Sequence, residues 1–233
     1  MRELAHGVHS LGGSKGGRVR AFLVENAGEL TLVDTLFPGD GGEVLAAVRS
    51  LGKSPRDVRR IVLTHAHRSH LGGVAALKRE TGAQVLSHAW EADVVAGERK
   101  AQSASLRPMQ PLRTYHFQLG IFLDKPPHTP CPVDGTVADG DAVGPLEVVH
   151  APGHSPGHLA FHLAEHALLI AGDAIVTWPR FEAGWRAFTL NPVQQRASLA
   201  RFASLEPRIV AVGHGDEVTE DAATKVHAFA ERP

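Results

Sequence analysis

The succession of apolar runs and amphipathic stretches predicts an α/β protein in which sheets are layered with helices. Two observations carry this. Across residues 19–86, strand-like runs alternate with helical periodicity, a repeating β-α-β arrangement. Across residues 146–170, three strand-like runs follow in quick succession, as antiparallel neighbours do. Two β-rich halves with covering helices fit an αββα sandwich or a doubly wound sheet, and the pattern alone leaves both open. A chain of 233 residues, 43% of them apolar, suffices for one large domain or two small ones.

Each element has its own signal. Residues 19–24 and 29–34 are apolar-rich runs joined by the turn composition Glu25-Asn26-Ala27-Gly28. Ahead of them Gly12-Gly13-Ser14-Lys15-Gly16-Gly17 lacks the Gly-Lys-Ser/Thr ending of a phosphate loop and reads as a hairpin tip. Val44, Ala47, Val48 and Leu51 recur at helical spacing, and Gly52 ends that helix. A buried strand over Ile61 to Leu63, a helix from Leu71 to about Gly82 and a strand over Ala83 to Leu86 follow. Later strands are expected at 146–149, 159–163, 167–170 and 209–212. Asn191 caps a helix with Pro192 at its first position, and Leu199, Phe202 and Ala203 form its apolar face. Thr219 is expected to cap a last helix, with Glu220 and Asp221 in its first turn.

The chemistry concentrates at the ends of these strands. Thr64-His65-Ala66-His67-Arg68-Ser69-His70 follows an apolar strand, and His154, Asp173 and His214 each follow another. Histidines at i and i+2 past a strand end can turn toward one cation, and a third at i+5 reaches a neighbouring position as a helix begins. Imidazole nitrogen is a common zinc ligand, and a carboxylate can be shared by two cations. Five nitrogens and one bridging oxygen exceed what a single tetrahedral ion needs. His158, four residues past His154 across a Pro-Gly turn, reads as a residue that supports the ligands rather than joins them. Ser155 stands in no Gly-x-Ser-x-Gly elbow and reads as a turn residue, not a nucleophile.

In these residues the chain resembles the metallo-β-lactamase superfamily, with its His-x-His-x-Asp-His loop followed by His, Asp and His at later strand ends. The resemblance covers nearly the whole chain and implies one αββα domain over residues 1–233, two mixed sheets flanked by helices. It implies that His65, His67 and His154 hold a first metal, that His70 and His214 hold a second, and that Asp173 lies between them. Ser69 stands where the family has an aspartate that binds the second metal and orients water, so the second site is expected to be weaker. Zinc is the expected ion, one or two per chain, with iron as an alternative.

Bulk properties narrow the function. A net charge of −1 without a Lys/Arg-dense stripe argues against nucleic acid as the main partner. No run approaches the ~18 apolar residues of a membrane span, and the N-terminus lacks a secretory pattern, so a cytoplasmic protein is expected. The single cysteine, Cys131, lies between two prolines and is expected in a loop. The leading expectation is a hydrolase of a small-molecule ester, thioester, lactone or lactam that uses a metal-bound hydroxide. Proton transfer then falls to Asp173, to Ser69 through water, or to solvent, with His158 in support. The rivals are a mononuclear iron dioxygenase of the persulfide type and a non-enzymatic member with a degraded second site. Trp178, Phe181, Trp185 and Phe188 are candidates for a substrate wall, and residues 100–132 for a lid or a homodimer contact.

Overall fold

The computed structural model describes residues 1–102, 107–109, 111–123 and 128–231. The candidate lid at 100–132 lies partly outside them. A mixed seven-stranded sheet runs in chain order through β1 (Arg2–Ala5), β2 (Val8–Gly12), β3 (Arg20–Asn26), β4 (Glu29–Val33), β5 (Val58–Val62), β6 (Gln84–Ser87) and β7 (Gly135–Thr136). The first four strands pair antiparallel and the later ones parallel. A second sheet comprises β8 (Ala142–Val143), β9 (Leu146–His150), β10 (Leu159–Leu163), β11 (Leu168–Ile170) and β12 (Ile209–Ala211), in the spatial order 12-11-10-9-8. The strands β8 to β11 are antiparallel neighbours, and β12 joins parallel to β11.

Alternation along the strands builds the layers. In β3, Phe22 and Val24 point between the sheets and meet Leu159, Phe161 and Ile170 of the second sheet. Ala21 and Leu23 point the other way, into a core with Val44 and Val48 of α1 (Gly41–Ser50). That core also takes Leu71 of α2 (Arg68–Leu71), Val74 and Leu77 of α3 (Val74–Thr81), and Val94 and Val95 of α4 (Ala89–Val95). On the far side, Leu169 and Val210 pack on Leu199 and Phe202 of the helix Pro192–Ser204 and on Val226 and Phe229 of the helix Ala222–Ala230. The result is an αββα sandwich, and the doubly wound alternative is excluded. Both faces of each central strand are covered, which is why their sequences read as unbroken apolar runs.

Two local readings need correction. The last helix starts at Ala222, not after Thr219, because Asp221 at its N-cap takes a left-handed conformation and makes no side-chain cap. A helix that periodicity did not show, α5 (Tyr115–Leu123), lies inside the stretch expected to be a lid or a dimer contact. It has no apolar face to detect: Phe117 and Ile121 pack inward while Leu119, Phe122 and Leu123 are exposed. Cys131 lies outside regular structure but is buried in the first core, and burial pushes its thiol up. The two remaining helices, Pro192–Ser204 and Ala222–Ala230, are α6 and α7. Asn191 caps α6 by accepting from the N–H groups of Val193 and Gln194, as its sequence predicts. Among the described residues, no helix is long and apolar enough to cross a membrane.

Candidate metal centre

Beyond β5 the chain leaves the sheet at Thr64, and a carboxylate from the neighbouring strand fixes its path. Asp34, the residue after β4, is 1% exposed. Its Oδ1 accepts the Thr64 N–H at 2.8 Å, and its Oδ2 accepts the Thr64 hydroxyl at 2.8 Å and His70 Nδ1 at 2.8 Å. The Thr64 oxygen in turn lies 3.0 Å from His65 Nδ1. With its proton given to Asp34, that hydroxyl accepts the His65 N–H, so His65 and His70 both present Nε2 inward. His67 is the N-cap residue of α2, in extended conformation, and His70 follows three residues later, buried within that helix. The Thr35 N–H and hydroxyl both bond the His70 carbonyl, at 2.6 and 2.8 Å.

The loop after β9 brings His154. At Gly153, with φ of +140°, a Cβ would come within 2.5 Å of the Gln195 backbone, so only glycine lets this loop lie on α6. Glu91 of α4 ties the loop to the first one. Its Oε2 accepts the Ala66 N–H at 3.1 Å, between His65 and His67. Its Oε1 accepts the Ser155 hydroxyl at 2.5 Å and the Gly157 N–H at 3.2 Å, just past His154. Burial pushes the Glu91 carboxyl up against the pull of these donors. His158 is fully buried, and its Nε2 accepts the Asp173 N–H at 3.1 Å. It therefore lies behind the inward-facing nitrogens.

Asp173 and His214 follow the parallel pair β11 and β12. Gly172 and Gly213 line the space around Asp173: a Cβ on Gly172 would meet His158 Nε2 at 2.7 Å, and one on Gly213 would strike Asp173 Oδ1. His214 Nδ1 donates to the Gly17 carbonyl at 3.3 Å, so the glycine-rich hairpin tip reaches the site.

Six side chains thereby form two buried clusters that share one carboxylate: His65, His67, His154 and Asp173, and His70, Asp173 and His214. In the first, His67 Nδ1 lies 3.0 Å from both His65 Nε2 and His154 Nε2. In the second, His70 Nε2 lies 3.3 Å from both His214 Nε2 and Asp173 Oδ1, and His214 Nε2 lies 3.4 Å from Asp173 Oδ2. Ser69 is half-buried and lines the cavity beside Asp173 and His214.

The donors fit a cation. Burial holds His67 down to about 4 and keeps His65 and His154 well below the usual imidazole range, so all three are neutral with lone pairs converging. Burial opposes charge on His70 too, but the carboxylates of Asp173 and Asp34 on either side overcome it and push His70 up to about 10. Burial likewise opposes ionisation of Asp173, and the His214 and His70 rings overcome it, holding the carboxyl well below its usual range. Asp173 Oδ1 and His154 Nδ1 are buried without a hydrogen bond. Converging nitrogen lone pairs around an ionised carboxylate that draws a proton onto a buried histidine suit a divalent metal ion.

Above the clusters is a cavity of about 30 Å³. Of the four candidate wall residues, Trp185 and Phe188 line it, with Phe37 and with Phe117 and Ile121 of α5. The Trp185 ring is 4.4 Å from that of His214. Trp178 packs edge-on against Trp185, whereas Phe181 packs on Phe229 of α7, away from the site. The supporting residues Asp34 and Glu91 were missed from sequence. Asp34 had a signal, an acid at an apolar strand end like Asp173, whereas Glu91 lies in a helix with no such mark.

Comparison with known proteins agrees with this geometry. The family model described as the metallo-beta-lactamase superfamily matches residues 15–214. The chain is 32% identical to the uncharacterized protein YobT of Bacillus subtilis, over 84% of this chain and 83% of that protein. It is 33% identical to a hydroxyacylglutathione hydrolase of Albidiferax ferrireducens, over 72% of this chain but only 51% of the relative's length. The crystal structure of TTHA1623 in a di-iron-bound form superposes with a TM-score of 0.68 at 28% identity, covering 91% of this chain and 97% of that one. With the family model matching most of the chain and spanning both clusters, this chain belongs to the metallo-beta-lactamase superfamily.

Proposed function

We propose that the protein is a metal-dependent hydrolase of a small ester, thioester, lactone or lactam. The observation that carries this reading is the pair of buried clusters sharing the ionised carboxylate of Asp173. A divalent ion bound there would lower the pKa of water toward ~7 and polarise a carbonyl oxygen. His65, His67 and His154 would hold one ion and His70 and His214 the other, with Asp173 common to both clusters.

The remaining work falls to the chain itself. Asp173, ionised and with Oδ1 buried at the cavity, would orient the attacking water, whose proton passes on to solvent, and the backbone of Asp173 is held in place by His158. Phe37, Trp185 and Phe188 wall the small cavity and limit its water. Ser69 offers a neutral oxygen at the cavity wall, so the second cluster has a single anionic side chain, Asp173. Zinc suits the nitrogen-rich donor set. The di-iron-bound form of a relative at 28% identity favours iron as the second reading.

The test is metal content of protein purified without added metal, with hydrolysis assays on activated esters, thioesters, lactones and lactams. Turnover that a chelator removes, that added metal restores and that Asp173→Asn reduces by at least ~10²-fold is expected. Oxygen uptake on a persulfide without hydrolysis of any of these would replace the reading with an iron oxygenase.

A further inference from the structure

We infer that a cationic chamber beside the metal centre receives a carboxylate carried by the substrate, an inference that rests on the hydrolase reading. The cavity over the clusters, about 30 Å³, has room for roughly one water and not for the body of a substrate. Next to it lies a chamber of about 290 Å³. His67, Arg68 and Ile121 border both spaces, so the wall between them includes a candidate metal ligand and the residue that follows it. A molecule whose carbonyl sits over the clusters has this chamber as the adjoining space for its remainder.

The chamber is charged. Among the described residues that line it are Arg68, Arg99 and Lys100, and one acidic side chain, Glu98. Two of the three cations are held in place. The Arg99 guanidinium lies 3.9 Å from the centre of the Trp90 ring and also bonds the Trp90 carbonyl. Arg68 opens α2, and its guanidinium occupies the place a side chain at Gly120 of α5 would take, 2.6 Å from an ideal Cβ there. A glycine at that point of α5 is what lets the cation stand at the boundary of the two spaces. Guanidinium groups fixed in advance favour a carboxylate, because little further ordering is needed to bind it. The apolar wall on the other side, Trp185 and Phe188, offers an anion nothing. The substrate class is therefore an ester, thioester or lactone with a carboxylate a few bonds from the scissile carbonyl, oriented with the carboxylate toward Arg99 and Lys100.

Two measurements test this separately. Metal-free protein is titrated with glutarate and with its neutral dimethyl ester, followed by calorimetry and by tryptophan fluorescence. Metal-loaded protein is assayed on mono-4-nitrophenyl glutarate and on 4-nitrophenyl butyrate. Glutarate binding without binding of the dimethyl ester is expected, together with a kcat/KM preference for the anionic ester. Lys100→Gln, at an exposed position, and Arg99→Gln should each lower that preference and weaken glutarate binding by about tenfold. Equal kcat/KM for the two esters, or a preference that neither variant changes, would overturn the inference while leaving a hydrolase. Glutarate binding that depends on Arg99 and Lys100 in a protein that cleaves no ester would support the chamber and remove the hydrolase reading instead.

Discussion

The Glu91 carboxylate accepts the Ser155 hydroxyl at 2.5 Å while its other oxygen takes the Ala66 N–H at 3.1 Å. One buried acid thus sets the separation of the loop carrying His65 and His67 from the loop carrying His154. The three nitrogens of the first cluster come together only if these loops keep that separation.

Glu91→Ala should consequently weaken metal binding at the first cluster on the order of 10–100-fold, the range seen when residues behind a ligand shell are removed. Glu91→Gln should be milder, since an amide oxygen still accepts from one loop. Ser155→Ala should have a smaller effect again, because the Gly157 N–H remains bonded to Glu91. Competition against a chromogenic chelator measures all three. Loss of turnover in Ser155→Ala at full metal loading would mark that hydroxyl as a nucleophile and contradict the water mechanism.

Ser69 leads to a second expectation. With Asp173 as the one anionic side chain of the second cluster, one ion should survive dialysis against a mild chelator and a second should be lost. Ser69→Asp places a carboxylate at the wall of the cavity shared with Asp173 and His214 and should retain two ions per chain, with faster ester hydrolysis. Elemental analysis after dialysis reads the outcome. Two retained ions in the unaltered protein would show that the serine does not limit the second position.

His70 gives a pH dependence with a definite sign. In the metal-free protein its imidazole, pushed up to about 10 by Asp173 and Asp34 against the cost of burial, keeps its proton at pH 7–9. An unfolded histidine titrates near ~6.5. The folded state therefore holds the extra proton, and the stability it contributes is full below ~6.5 and is lost as pH rises through about 10. Metal-free protein should be easier to unfold at pH 9 than at pH 7, and this trend should shrink in His70→Asn. Binding of a divalent ion at pH 7 should also expel a proton from His70, measurable by calorimetry in buffers of different ionisation enthalpy. Metal binding without proton release would show that His70 is already neutral.

The six side chains that the fold gathers into the two clusters were legible in the sequence because each is a local feature. His65, His67, His70, His154, Asp173 and His214 all stand just past apolar strands, and strand ends in a layered sheet gather at one edge. The strands and the Asn191-Pro192 helix start were legible for the same reason, since alternation, turn residues and caps act over a few positions. What the sequence could not supply was the set of contacts between distant segments. Asp34 meets Thr64 and His70 across separations of 30 and 36 residues, and Glu91 meets Ala66, Ser155 and Gly157 across 25, 64 and 66. No local pattern encodes which carboxylate lands beside which loop, because that depends on how two sheets and their helices pack. Packing also decided that Phe181 faces α7 while Trp185 faces His214. It likewise set α5 over the site, where its apolar residues cover the metal centre on one side and face solvent on the other. Sequence thus determined which atoms can bind a metal. Tertiary structure decided which of their nitrogens face inward, what holds them there and how much space is left for a substrate.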